Sequence, residues 1–385
     1  MILTFFFLLF LVFYCYFGYP ALLTLVARMR ERPVLRQPVE PTVSVIISVW
    51  NEEDVLARKM RNLLDLDYPK GKVEILIGSD GSTDRTNEIM RGFGDERIRF
   101  WESDARRGKM AVINTLAAQA RHELIVFTDA RQVFAADTIR ALAANFADPQ
   151  VGCVSGELMF SRKEGGTAKG VNLYWSYEKF IRSQESKIHS MLGATGAVCA
   201  IRRELYPPVP ENLVLDDMYI PFHIIKKGYR SIFDEQAKAF DEVADSPREE
   251  HRRKVRTLSG NYQIFALMPE MLNPFKSPIA VQLFSHKFLR LLIPFFLIII
   301  FAINLFLLPE NPFGIFFVLQ ILFYVMALIG ALSRHQRYGM LKAVSKVCYI
   351  PYVFCLLNFS ALAGAIRYFG GRQEVTWEKA REKRN

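Results

Sequence analysis

Val43-Ser-Val-Ile-Ile-Ser-Val49, followed at once by Trp50-Asn-Glu-Glu53, is the stretch that decides the fold. The run before Trp50 is short, rich in β-branched residues and uncharged, which suits a strand buried on both faces of a parallel sheet. Glu52 to Leu64 then takes helical spacing. The pair recurs along the chain. Val73-Glu-Ile-Leu-Ile-Gly78 reads as a second strand, Ser82 to Arg91 as a helix, and Ile98-Arg-Phe-Trp101 as a third strand. Lys109 to Ala120 is another helix and Leu124-Ile-Val-Phe-Thr128 a fourth strand. Strands alternating with helices predict an α/β domain with a mostly parallel sheet, whose ligands bind beyond the carboxyl ends of the strands. From Ser161 the rhythm is less regular, and Gly156 to Asp245 is expected to form a second half laid against the first.

Working outward, apolar residues collect at both ends of the 385-residue chain, so length alone is a poor guide to domain count. No charged side chain precedes Arg28, and Phe5 to Val12 open a run long enough to cross a bilayer, which takes about 20 apolar residues. A cleaved signal would start with basic residues. Here Arg28, Arg30 and Arg32 follow the run, so a retained anchor is expected, with the next domain on the cytosolic side. Phe288 to Leu308, Phe313 to Leu332 and Val347 to Ile366 are three further candidate spans. Arg334, His335, Arg337, Lys342 and Lys346 make a basic loop that fits the cytosol. The tail is basic as well, at Arg367, Arg372, Lys379, Arg381, Lys383 and Arg384, although three crossings would place it outside. Either the last stretch, with Pro351 and Asn358, turns back as a re-entrant element, or it spans; three spans is the reading kept.

Gly260 to Pro274 is expected to lie along the membrane surface. The organisation is then an N-terminal membrane helix over 1–27, a cytosolic domain over 28–258, interfacial helices over 259–286, about three spans over 287–368 and a basic tail over 369–385. The net charge of +10 sits largely beside the apolar stretches, so the expected partner is the lipid bilayer and not nucleic acid. Cys15, Cys153, Cys199, Cys348 and Cys355 form no C-x-x-C pair, which points to neither a zinc site nor a disulfide framework.

Chemistry concentrates at the strand ends. Ser48-Val-Trp50-Asn-Glu52-Glu53 and Ser79-Asp80-Gly-Ser-Thr-Asp84 follow consecutive strands. Either loop alone could be a helix cap. Together, and with an aromatic, they suit a nucleotide: Trp50 can cover a base, and Asp80 can accept from its imide N–H or from ribose hydroxyls. Lys109 follows Gly108 at a helix start, where an ammonium and free backbone N–H groups suit a diphosphate, unless it is a solvated helix lysine. Leu215-Asp216-Asp217-Met218 places paired carboxylates at another helix start, as caps or as acid–base groups.

The series S-V-W-N-E-E, G-S-D-G-S-T-D, Gly108-Lys109 with Asn114, and F-T-D-A-R resembles the inverting family 2 glycosyltransferases of GT-A fold, over residues 43 to about 258. The resemblance implies a Rossmann-like domain in which Ser48, Trp50, Glu52 and Asp80 hold the nucleotide of a nucleotide-sugar donor, with Lys109 on the diphosphate. It also implies a divalent metal, Mg²⁺ or Mn²⁺, on an Asp-x-Asp motif. This chain reads Asp129-Ala130-Arg131, so Asp129 is the one metal or donor contact and Arg131 offers a guanidinium to the phosphates. By the same resemblance Asp217 is the catalytic base and Asp216 its support, and Gly193-Ala-Thr195-Gly196 is the acceptor loop.

Arg253, Arg256 and Thr257 fall where the polysaccharide-extending members carry Gln-x-x-Arg-Trp, and only Arg256 matches. A diphosphate contact by Arg253 and Arg256 is expected, while the missing tryptophan leaves repeated chain extension open. Those members are the cellulose, chitin and hyaluronan synthases. The function so implied is transfer from a uridine diphosphate sugar to a growing polysaccharide at a bacterial inner membrane. Single addition to a lipid or lipid-linked acceptor is the alternative. A non-catalytic nucleotide-binding membrane protein is the alternative of another class, against which the intact Asp216-Asp217 pair argues.

Overall fold

Eight strands form one sheet: β1 (Val43–Val49), β2 (Val73–Asp80), β3 (Ile98–Ser103), β4 (Leu124–Phe127), β5 (Val133–Phe134), β6 (Val151–Ser161), β7 (Cys199–Arg202) and β8 (Arg230–Glu242). This arrangement comes from a computed structural model, which describes residues 1–161, 166–242, 247–333 and 340–371. Their order is β3-β2-β1-β4-β7-β6-β8-β5. The uncharged run of β1 is buried on both faces: Val43, Val45, Ile47 and Val49 enter one core with Leu56 and Met60, and Ile46 enters the other with Val112 and Leu116. β2 divides in the same way, with Ile75 and Ile77 on one side and Leu76 on the other. Side-chain alternation on a strand sandwiched between two helical layers requires this split.

The first half is parallel throughout, β3 to β2 to β1 to β4. The second half is mixed. β7 runs antiparallel between β4 and β6, β6 is parallel to β8, and the short β5 closes the edge antiparallel to β8. β6 begins at Val151, ahead of the Gly156 expected to open this half. Gly78 explains how closely one helix lies on the sheet, because a Cβ there would come within 2.3 Å of Val112 Cγ1 on the Lys109–Gln119 helix.

Four helices are long and apolar enough to cross a membrane: Ile2–Met29, Ala280–Phe306, Phe313–Ser333 and Val347–Phe369. The first of the late helices starts at Ala280, upstream of the expected Phe288, and so carries His286 and Lys287 as well as Arg290. Residues 260–267, expected in a separate interfacial element, are the last turns of the Pro247–Leu267 helix. Met340–Phe369 is one helix with Pro351 inside it, so the last apolar stretch does not turn back. Arg334, His335, Arg337, Asp245 and the tail from Arg372 onward lie outside the described residues.

These apolar helices pack on one another and on the domain. Phe5 and Leu8 of the first helix share a cluster with Ile300 and Phe313 of the late ones. Tyr368 stacks on Tyr262 with ring centroids 5.9 Å apart, and a Cβ at Gly364 would lie 3.0 Å from the Ser259 nitrogen.

Candidate active site

The carboxyl ends of β1, β2 and β4 converge on one edge of the sheet, where the polar loops meet. Asn51 adopts φ 53°, a conformation open to few residues besides glycine and asparagine, and its Oδ1 accepts from the Thr83 N–H at 2.7 Å. The two strand-end loops are thereby tied together. Asp80 is fully buried; its Oδ1 accepts from the Arg107 N–H at 2.7 Å and its Oδ2 from the Gly108 N–H at 2.9 Å. Gly108, at φ 98°, then turns the chain into the helix that begins with Lys109. Asp80 therefore shapes the loop that presents Lys109, a task the sequence reading had not given it. Trp50 is half-buried, and the Arg106 guanidinium lies over its ring 3.6 Å from the centroid. Ser48 Oγ is buried with no hydrogen-bond partner among the described residues. Glu52 is half-buried, its N–H bonded to Thr86 Oγ1 at 2.8 Å.

Lys109 links this edge to the paired aspartates. Its Nζ lies 3.1 Å from Asp129 Oδ1 and 3.8 Å from Asp216 Oδ2. Burial acts against the charged ammonium, but the two carboxylates outweigh it and hold the lysine above its ordinary pKa. At Asp129 burial favours the neutral acid, and the Lys109 ammonium outweighs that, so this carboxyl is held below its ordinary value. Asp217 behaves in the opposite way. Burial, reinforced by the neighbouring Asp216 charge, pushes it up to about 6 against the pull of Arg182, Lys109 and Lys287. Asp217 Oδ1 is buried without a hydrogen-bond partner among the described residues.

The Gly193–Gly196 loop sits against this base. The Ala194 N–H donates to the Asp217 carbonyl at 2.7 Å, and the Thr195 N–H donates to Ser155 Oγ at 2.8 Å. Arg182 Nη1 donates to Thr195 Oγ1 at 2.9 Å. At Gly193 a Cβ would approach Met218 Cγ to 3.2 Å, whereas Gly196 faces open space. Arg256, on the Pro247–Leu267 helix, feels Asp216, Asp217 and Asp129; burial still draws it below its ordinary pKa. Arg253 is half-buried on the same helix.

Residues 44–207 match the model of Glycosyl transferase family 2. The chain carries a family 2 glycosyltransferase domain. A beta-monoglucosyldiacylglycerol synthase of Trichormus variabilis is 26% identical over 54% of this chain and 46% of its own length. An N-acetylglucosaminyltransferase of Rhizobium meliloti is 26% identical over 67% of this chain and 66% of its own. A poly-beta-1,6-N-acetyl-D-glucosamine synthase of Staphylococcus aureus is 22% identical over 61% and 58%. The chain thus spans about half to two thirds of the length of these curated relatives. Among solved structures, a mannosyltransferase from Pyrobaculum calidifontis, in complex with GDP-Man and Mn²⁺, is 24% identical with a TM-score of 0.70. That likeness covers 95% of this chain and 98% of the other, and it establishes the fold.

Within the family 2 domain one expected donor contact is otherwise engaged. Arg131 Nε and Nη2 donate to the two oxygens of Asp241 on β8 at 2.9 and 2.8 Å, and Gln132 Nε2 adds a third bond to that carboxylate at 2.8 Å. A bidentate fork on a buried partner is a strong pairing, so this guanidinium braces β8 instead of reaching the phosphates in this structure. Asp129, with a 42% exposed side chain, is then the carboxylate open to a metal at the Asp129-Ala130-Arg131 turn. No group of three or more His, Cys, Asp or Glu among the described residues could hold a metal by itself. One carboxylate still fits a Mg²⁺ or Mn²⁺ ion whose other ligands are diphosphate oxygens and water.

Several groups here were not anticipated. Lys59 is fully buried beneath the turn, its Nζ donating to Thr128 Oγ1 and to the Gln132 carbonyl, each at 2.8 Å, and burial pulls it down to about 7. A lysine on the apolar face of a helix, between Leu56, Met60 and Leu63, was the available signal. Arg182, Glu185, Asn261, His286 and Lys287 line a cavity with Asp217. Glu178 and Glu185, two turns apart on one helix, could have flagged a buried polar face.

Proposed function

We propose that this chain is a membrane-integrated, inverting glycosyltransferase that moves a sugar from a nucleotide-sugar donor, a uridine diphosphate sugar, to a growing polysaccharide at the membrane. The observation that carries the reading is the placement of Asp217 beside Asp216, with Lys109 bridging Asp216 to Asp129 at 3.8 and 3.1 Å. A carboxylate raised to about 6 is a competent base near neutral pH, and a fixed cation on the donor side suits a leaving diphosphate.

Asp217 takes the proton of an acceptor hydroxyl as its oxygen attacks the anomeric carbon, and the bond to the nucleoside diphosphate breaks on the opposite face, inverting configuration. Lys109, and Arg256 from the opposite helix, offset the charge that develops on the departing diphosphate. Trp50, Ser48 and Glu52 frame the nucleotide, Asp80 holds the loop that presents Lys109 to the diphosphate, and Gly193 to Gly196 flank the acceptor. A Mg²⁺ or Mn²⁺ ion held by Asp129 would supply Lewis-acid neutralisation of the diphosphate. Arg28, Arg30 and Arg32 after the first apolar helix favour a cytosolic domain in a bacterial inner membrane.

The polysaccharide acceptor rests on the helices that follow the domain and on relatives named for N-acetylglucosamine transfer and polymer synthesis. A second reading, single addition to a lipid, is favoured by the missing Gln-x-x-Arg-Trp tryptophan, with Thr257 in its place, and by the diacylglycerol named in the Trichormus relative. Purified membranes offered a panel of labelled nucleotide sugars decide both points. Nucleoside diphosphate release with a labelled ladder or polymer supports extension, a single labelled glycolipid supports the second reading, and no release from any donor refutes transfer.

A further inference from the structure

Three helices meet behind the base around a buried polar cluster. His286, fully buried, has Nδ1 2.7 Å from Glu185 Oε1 and Nε2 3.2 Å from Glu178 Oε2. Glu185 Oε1 also accepts from the Tyr19 hydroxyl of the N-terminal helix at 2.9 Å. Lys287 at 3.4 Å and Arg290 both engage Glu178. The cluster borders a cavity of about 70 Å³, whose wall includes Arg182, Glu185, Asp217, Asn261 and Lys287. Three of the residues on that wall each carry a buried oxygen with no hydrogen-bond partner among the described residues: Glu185 Oε2, Asp217 Oδ1 and Asn261 Oδ1. Glu185 is 0% exposed and Asn261 6% exposed.

We propose that Glu185, with Asn261, forms a subsite facing Asp217 that reads the hydroxyls of a neutral acceptor end group, a glycerol or sugar terminus, and discriminates against a lipid phosphate. The proposal rests on the transferase reading and narrows its acceptor. Buried oxygens without partners are satisfied only by an occupant that donates hydrogen bonds, and hydroxyls donate. An ionised phosphate brings acceptors alone and would meet the carboxylates of Glu185 and Asp217. The wall cations do not reverse this, because Lys287 is paired with Glu178, and the charge of Arg182, which also donates to Thr195 Oγ1, is offset by the facing Asp217 carboxylate. The volume admits a few water-sized groups, which is the tip of a polyol and not a whole glycan. With Oε1 fixed by Tyr19 and facing His286, Glu185 keeps Oε2 for the acceptor, which makes it a positioning residue beside the base.

The test uses the full chain in nanodiscs with nucleoside diphosphate present. Equilibrium binding is measured for dioleoylglycerol, for cellotetraose and for a polyprenyl phosphate, in the wild type and in Glu185→Gln. At least one neutral probe should bind about tenfold or more tighter than the polyprenyl phosphate, and which one does so tells a lipid source from a glycan source. Glu185→Gln should weaken that neutral probe about tenfold or more while tightening the polyprenyl phosphate, with thermal unfolding little changed. A preference for the phosphate, no binding of any probe, or neutral binding in Glu185→Gln within about twofold of wild type overturns the proposal. Should Glu185→Gln fail to fold, Asn261→Ala carries the same expectation for the neutral probe. Donor turnover measured in parallel separates the two readings. Binding that depends on Glu185 without turnover refutes transfer and leaves the subsite, whereas turnover with unaffected binding removes the subsite alone.

Discussion

Asp217→Asn should abolish turnover and, at the same time, stabilise the protein in a pH-dependent way. The structure raises this carboxyl from 3.8 to about 6 through burial and the adjacent Asp216. Above pH 6 the folded protein therefore carries a charge that the unfolded chain accommodates more easily. About two pKa units at about 1.4 kcal/mol each is about 3 kcal/mol of destabilisation held at neutral pH. The sign follows from proton counting: between the unfolded value near 3.8 and the folded value near 6 the native state binds more protons, so stability falls as pH rises through this window. An asparagine of the same shape removes the charge. Its advantage should be complete at pH 8, fade as pH falls from about 6 to 4, and vanish below the unfolded value. The measurement is thermal unfolding of wild type and variant in the same detergent at pH 8 and at pH 4, beside nucleoside diphosphate release with acceptor present. A shift of several degrees at pH 8 and little at pH 4, with turnover lost, is expected. Wild-type turnover in the variant, or equal unfolding temperatures at pH 8, would refute the reasoning.

Turnover of the wild type should fall as pH drops through about 6, because a base must be ionised to accept a proton, and initial rates at saturating donor check this. Lys109→Met removes a cation that pulls Asp217 down, so the acid limb should move to higher pH, and binding of nucleoside diphosphate, read by calorimetry, should weaken about tenfold. If Asp129 holds the divalent ion, Mg²⁺ should tighten that binding in the wild type and not in Asp129→Asn; equal responses would remove the metal from this residue. Gly78→Ala places a Cβ 2.3 Å from Val112 Cγ1 and should cost about 1–3 kcal/mol, seen as a lower unfolding temperature with the pH profile unchanged.

The first half of the fold was legible because its strands are buried on both faces, so Val43–Val49, Val73–Gly78 and Leu124–Phe127 stand out as apolar runs between helices of ordinary spacing. The second half was not, because β5 has two residues and β7 four, too few for alternation to register, and they join the sheet antiparallel across long sequence separations. The polar residues at strand ends could be named from the sequence, but their division of labour could not. Asp80 was expected to face a nucleotide, and it spends both oxygens on backbone N–H groups of the next loop. Arg131 was expected on phosphate and is paired with Asp241, a residue 110 positions away that no local pattern connects to it.

The long apolar helices do more than a membrane tether would require, and the contacts say why. Tyr19 reaches from the first apolar helix to Glu185, which lines the same cavity as Asp217. His286 and Lys287 stand at the start of the first late helix and face Glu185 and Glu178. On the far side Gly364 lets the last helix approach the backbone at Leu258 and Ser259, near Arg256 on the same helix turn. The lining of the cavity next to the base thus includes residues, Glu185, His286 and Lys287, that belong to or are held by an apolar helix. A hydrophobic segment that served only as a tether would need none of these polar contacts, and burying Glu185 and His286 at 0% exposure carries a desolvation cost that a tether gains nothing from. The arrangement makes sense if these helices cross a bilayer and the acceptor meets the base where domain and bilayer join, so that the same helices fix the groups that hold the attacking hydroxyl.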